Sequence, residues 1–197
     1  MKRLTFALST ALLPFVCTAA CAGQMEHGAA PMAHEGMGGM KHEAGVPSKT
    51  LTLTGLNGAT MTLTAEDLKA MPHVTVTVTN GHSHNQETYS GVAIKDLLAV
   101  VTRSAEGQPA VAPAKSSPRM IVVIAGATDH FHVALTLCDT DPGCRNGQAI
   151  VADAEDGKPL AADGAFKLIL TEDKMPGRWV RNLDSLTEKN LGDMQLH

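Results

Sequence analysis

Beyond Lys49 the chain is written largely in alternation. Leu51-Thr52-Leu53-Thr54 and Met61-Thr62-Leu63 put an apolar residue at every second position, the period of a half-buried strand. Asn57-Gly58 between them is the dipeptide that favours a tight hairpin. Thr64-Ala65-Glu66-Asp67-Leu68-Lys69-Ala70 begins with a capping residue, carries acids in its first turn and meets Pro72, so it predicts a short helix. His73 to Thr79 alternates Val and Thr and predicts a strand, and Gly81 to Asn85 a turn. Tyr89 leads through Ser90-Gly91 into Val92 to Val101, whose apolar spacing is helical, and Thr102 to Pro118 reads as a loop. Met120 to Ala125 is a continuous apolar strand, and further strands are expected near Ala149 to Ala152, Phe166 to Thr171 and Trp179 to Leu186. The sum is an α+β fold with a β-rich mixed sheet and short helices, one domain over residues 49–190, and a C-terminal tail over 191–197.

The first 48 residues have no such pattern. Lys2 and Arg3, an apolar run from Leu4 to Val16 and small residues up to Ala22 predict an export signal over residues 1–22. Two cleavages compete: an ordinary one after Ala22, and a lipoprotein one before Cys21 that would leave a lipidated cysteine as a membrane tether. Either way the expected location is periplasmic or secreted. Residues 23–48 are Gly, Ala, Met, His, Glu and Pro without periodicity, a composition that cannot bury enough surface to offset its ordering entropy, so they read as a disordered tether.

Charge and aromatic content then remove one class of partner. The formal charge of −4 becomes −6 once Lys2 and Arg3 leave with the signal. Only Tyr89, Phe131, Phe166 and Trp179 remain as aromatics, too few for a basic stacking platform, and nucleic acid is not an expected partner. Of the four cysteines, Cys17 and Cys21 belong to the signal or its lipid site. Cys138 and Cys144, left together in an oxidising compartment with Asp-Pro-Gly between them, are expected to form a disulfide.

The C-terminal third carries Asp156-Gly157-Lys158-Pro159-Leu160, Asp163-Gly164-Ala165-Phe166-Lys167-Leu168-Ile169-Leu170, Asp173 and Arg178-Trp179-Val180-Arg181. Leu51 to Gly55, Asp67-Leu68, Val74 to Val78, Tyr89-Ser90-Gly91-Val92 before Asp96-Leu97-Leu98, and Gly126-Ala127-Thr128-Asp129 precede it in order. Together these pieces resemble the sulfite-oxidase-like molybdopterin-binding domain family, over about Lys49 to Thr187. The resemblance implies that fold, and a molybdopterin cofactor whose molybdenum takes a thiolate from a cysteine just after the strand matching Val74 to Val78. Here that stretch is Thr79-Asn80-Gly81-His82-Ser83-His84, with no cysteine. For the anionic cofactor the candidate holders are Arg178, Arg181 and Lys167.

Other residues suggest metal chemistry. His82 with His84, and His130 with His132, are His-x-His pairs that would project together from extended chain and could hold zinc or copper beside Asp129. Met25, His27, Met32, His34, Met37, Met40 and His42 put seven donors into 18 residues, a set that suits copper, Cu(I) above all. Templates for P-loops, zinc proteases and nucleophile elbows are incomplete. The expected function is an exported sulfite-oxidase-like domain without the molybdenum thiolate, acting as a binding or accessory protein in envelope redox or metal handling. A molybdopterin-dependent oxidoreductase and a periplasmic copper-binding protein are the alternatives.

Overall fold

A computed structural model describes residues 45–104 and 120–193. The opening alternation forms β1 (Thr50–Thr54) and β2 (Thr60–Thr64), antiparallel with Leu51 opposite Leu63. Helix α1 (Ala65–Lys69) follows directly because Thr64 and Asp67 cap it reciprocally, each side chain bonded to the other residue's backbone N–H. Strands β3 (Val74–Thr79) and β4 (Gln86–Ala93) form the next hairpin, and α2 (Ile94–Ser104) leaves β4 without a loop. After the second described stretch begins come β5 (Ile121–Ala127), β6 (His132–Thr136), the single turn α3 (Leu137–Thr140) and β7 (Ala149–Glu155). Short β8 (Lys158–Pro159), β9 (Lys167–Leu170) and β10 (Leu183–Asn190) complete the strands.

The strands make two five-stranded sheets. One runs β2-β1-β10-β5-β6, with β1 parallel to β10 and every other pair antiparallel. In the other, β3 pairs β4, β4 pairs β7, and both β8 and β9 lie along the far side of β7. Leu51, Val123 and Leu186 from the first sheet, Val76, Ile150 and Leu168 from the second, and Leu68, Leu97 and Val101 from the helices share one buried cluster. Each such aliphatic side chain stabilises by ~1.5–3 kcal/mol relative to exposure. The α+β, sheet-dominated class expected from the pattern is the observed one.

Four local expectations need correction. Val92 and Ala93 extend β4 instead of opening the helix, since they pair with Val151 and Ile150 of β7. Only glycine is tolerated at Gly91, where a Cβ would collide with the Val151 carbonyl across the sheet. A strand, β6, occupies the stretch after His130, burying Leu135 and leaving His132 exposed. The last strand begins at Leu183 and not at Trp179, because a 3-10 turn over Pro176–Arg178 and a left-handed Asn182 (φ 51°) interrupt extension. Residues 45–48 are packed on the domain: Thr128 Oγ1 donates to the Val46 carbonyl at 2.6 Å, Ala165 N–H donates to the Ser48 carbonyl at 2.9 Å, and Ser48 is buried. The folded domain therefore includes the end of the segment read as tether.

Candidate functional site

Several chain turns meet around a cavity of about 560 Å³. The β3–β4 turn contributes Asn80 and His82, the β5–β6 turn Asp129 and Phe131, the approach to β9 Asp163, and β9 itself Lys167. The segment before β10 adds Pro176, Gly177, Trp179 and Arg181. Each turn has a local cause. Asn80 Oδ1 accepts the backbone N–H of His82 at 2.9 Å and of Ser83 at 3.3 Å, and its Nδ2 donates to Glu87 Oε1 at 2.8 Å. Asp129 Oδ1 accepts the Phe131 N–H at 3.0 Å, and His130 takes a left-handed conformation (φ 65°).

A polar network runs beneath the cavity. Lys167, buried on β9, donates to Asp163 Oδ2 at 2.7 Å and to the Tyr89 hydroxyl at 2.9 Å, and lies 3.7 Å from Glu155. Tyr89 passes its own hydrogen to Glu87 Oε2 at 2.8 Å and packs its ring edge-on to Trp179, with centroids 5.9 Å apart. Burial first, and then the hydrogen bond to Glu87 and the charge of Glu155, push the Tyr89 hydroxyl far above the ordinary phenol value. Trp179 Nε1 donates to the Leu170 carbonyl at 3.1 Å, which anchors it in the core as well as in the cavity wall.

The residues singled out by sequence divide around this cavity. His82 lines it, but the pairing logic of His-x-His fails because one residue of each pair, His84 and His130, is left-handed. His84 has φ 59° and closes a turn through its N–H to the Asn80 carbonyl at 2.8 Å. His132 Nδ1 donates to the His130 carbonyl at 2.7 Å, which fixes that ring against its own turn. Among the described residues no three His, Cys, Asp or Glu side chains gather to hold a metal ion, so the four imidazoles do not form one site. The seven Met and His donors from Met25 to His42 lie outside the described residues.

Of the three candidate phosphate holders, Lys167 and Arg181 line the cavity and Arg178 does not. Arg178 is gripped by Asp173, at 2.9 Å through Nε and 2.6 Å through a terminal nitrogen, with Asp139 at 3.5 Å. Arg181 is 74% exposed and 3.9 Å from Asp163. Sequence reasoning did not single out Glu87 or Asn80, nor the link between Tyr89 and Lys167. Asp163 and Lys167 stand four apart, a detectable spacing, but Tyr89 and Lys167 are separated by 78 positions and carried no local signal.

These residues do not fit a molybdopterin centre. Where the resemblance calls for a thiolate, the stretch from Thr79 to His84 offers no sulfur, and its Asn80 carboxamide accepts from His82 and Ser83 and donates to Glu87. Cys138 and Cys144 are joined in a disulfide, as expected, and line a different cleft of about 750 Å³ with Leu98, Ala99 and Glu188. Lys167, the cation best placed for an anion, already serves Asp163, Glu155 and Tyr89, while Asp129 and Asp163 would repel a phosphate.

No family model and no curated protein matches the sequence. Among solved structures the chain is similar to the sulfane dehydrogenase SoxCD from Paracoccus pantotrophus, with a TM-score of 0.53 and 18% identity. The match covers 74% of this chain and 39% of that one. At this distance the likeness shows the fold, which is the sulfite-oxidase-like one, and it leaves the chain spanning about two fifths of its structural neighbour's length.

Proposed function

We propose that the protein is an exported binding or accessory component of envelope redox or metal handling, built on a sulfite-oxidase-like domain that uses its cavity without molybdenum. One observation carries this reading: at the cavity edge the turn after β3, from Thr79 to His84, presents Asn80 held by hydrogen bonds and no sulfur, where the fold's redox enzymes would need a thiolate. Molybdenum chemistry lacks its soft ligand there, and the cavity's basic side chain nearest the core is paired with Asp163 and Glu155 and hydrogen-bonded to Tyr89. Fluorescence of material released by denaturing the purified protein is expected to show no pterin. One pterin per chain would replace this reading with that of a molybdopterin-dependent oxidoreductase.

Export rests on the charged, apolar and small-residue zones of residues 1–22, and periplasmic or secreted location follows from it. A mature mass beginning at Gly23 supports ordinary cleavage; one beginning at lipidated Cys21 supports a membrane tether.

Copper is the second reading, favoured by the four thioethers and three imidazoles between Met25 and His42. Because residues 45–48 are packed on the domain, the informative deletion is 23–44. It is expected to remove most Cu(I) uptake in a competition assay and to leave the melting temperature unchanged. Unchanged uptake would reduce that segment to a spacer.

A further inference from the structure

The charges lining the cavity are not all available to a ligand. Lys167 and Asp163 are committed to each other at 2.7 Å, with Glu155 and Tyr89 closing around the ammonium. Of the carboxylates and guanidinium or ammonium groups, one acid, Asp129, and one base, Arg181, remain, and the imidazole of His82 lines the same cavity. Among the described residues Asp129 has no cation at ion-pairing distance, and its single hydrogen bond is the one its Oδ1 accepts from Phe131 N–H. Arg181 is 74% exposed, and its carboxylate contact, 3.9 Å to Asp163, is with a group Lys167 already holds more closely. The two uncommitted residues stand near each other, since Thr128 N–H donates to the Asn182 carbonyl at 3.2 Å and brings their chain segments side by side. Phe131, exposed, and Trp179, largely buried, add an apolar wall to the same cavity.

We propose that this cavity binds a small zwitterion of the amino-acid or short-peptide class, with the ligand carboxylate on Arg181, its ammonium on Asp129 and an apolar side chain against Phe131 and Trp179. The inference rests on the reading of the domain as a binding module and names what it binds. A guanidinium matches a carboxylate in a forked pair, and a free carboxylate matches an ammonium. A pure anion would meet Asp129 unpaired, and a pure cation would meet Arg181 unpaired, so each is selected against. The volume of about 560 Å³ suits a ligand of this size.

Trp179 is the one tryptophan of the chain, so its emission reports on the cavity directly. The full mature protein would be titrated at neutral pH with leucine, leucyl-leucine, N-acetyl-leucine and leucinamide. Saturable change with leucine or the dipeptide is expected, weakened about two- to fivefold when either ligand charge is blocked, as befits one partly exposed ion pair. Asp129→Asn should erase the preference over N-acetyl-leucine alone, and Arg181→Gln the preference over leucinamide alone, each with an unchanged melting temperature. Equal response to the blocked compounds overturns the proposal, as does no saturable response to either zwitterion up to roughly 10 mM, weaker than most small-ligand sites. A response confined to N-acetyl-leucine also overturns it while leaving a binding module in place. Failure of the underlying reading is seen separately, as molybdenum or pterin in the same preparation.

Discussion

Lys167 shows how a buried charge is made tolerable. Its ammonium is surrounded by Asp163, Glu155 and the Tyr89 hydroxyl, so the cost of removing it from water is offset by partners on several sides. Removing one member of such a cluster leaves the others uncompensated. Lys167→Met is expected to destabilise the domain by ~3 kcal/mol in urea unfolding, well beyond the ordinary surface substitution. A change below about 0.5 kcal/mol would mean the cluster is solvated and contributes nothing. Glu188 is the opposite case. Burial raises its carboxyl above the ordinary glutamate value, only partly countered by the Leu56 N–H that it accepts at 3.1 Å. The folded state thus holds this proton more tightly than the unfolded one. Its contribution is favourable below the ordinary glutamate value and is lost as pH rises through the raised folded value. Glu188→Gln is therefore expected to raise the melting temperature at pH 7, with the gain vanishing by pH 4. An equal gain at both values would contradict burial as the cause.

At the scale of elements, what could be read from sequence was whatever had a short period or a local cap. The β1–β2 hairpin, α1 with its Thr64 and Asp67 cap, and β3 each follow from neighbouring residues alone. What was missed depends on distant partners. β4 runs on through Val92 and Ala93 because β7 lies beside it, and the register shift between Ser90 and Gly91 is set across the sheet. β6 hid because Val133, Ala134 and Leu135 run together without alternation and its one buried side chain is Leu135. The disulfide was legible from the spacing of Cys138 and Cys144 and the export expected of the chain, and it ties α3 to the turn at Cys144, with Cα atoms 5.2 Å apart. Replacing both cysteines by serine is expected to cost on the order of 2 kcal/mol, the value for so short a closed loop. Two free thiols in the unfolded, unreduced mature protein would show that the bond does not form.

For the molecule as a whole, the order of motifs from Leu51 to Thr187 was enough to give the fold, which the likeness to SoxCD shows at 18% identity. The site was less legible. Sequence could register that no cysteine follows Val78, but not that Asn80 spends its amide on its own turn or that Lys167 is enclosed by acids. Those facts arise where loops from both sheets converge, and convergence has no sequence period. They also convert a missing ligand into a positive account, in which the cavity is polar, charge-balanced and free for a ligand of another kind. On the proposed function this cavity works without molybdenum. The most direct test is the molybdenum content, by mass spectrometry, of mature protein purified after export from a molybdenum-replete host. The account predicts far less than one atom per chain, with the folded domain and its disulfide intact. One molybdenum per chain, retained through purification, would contradict it.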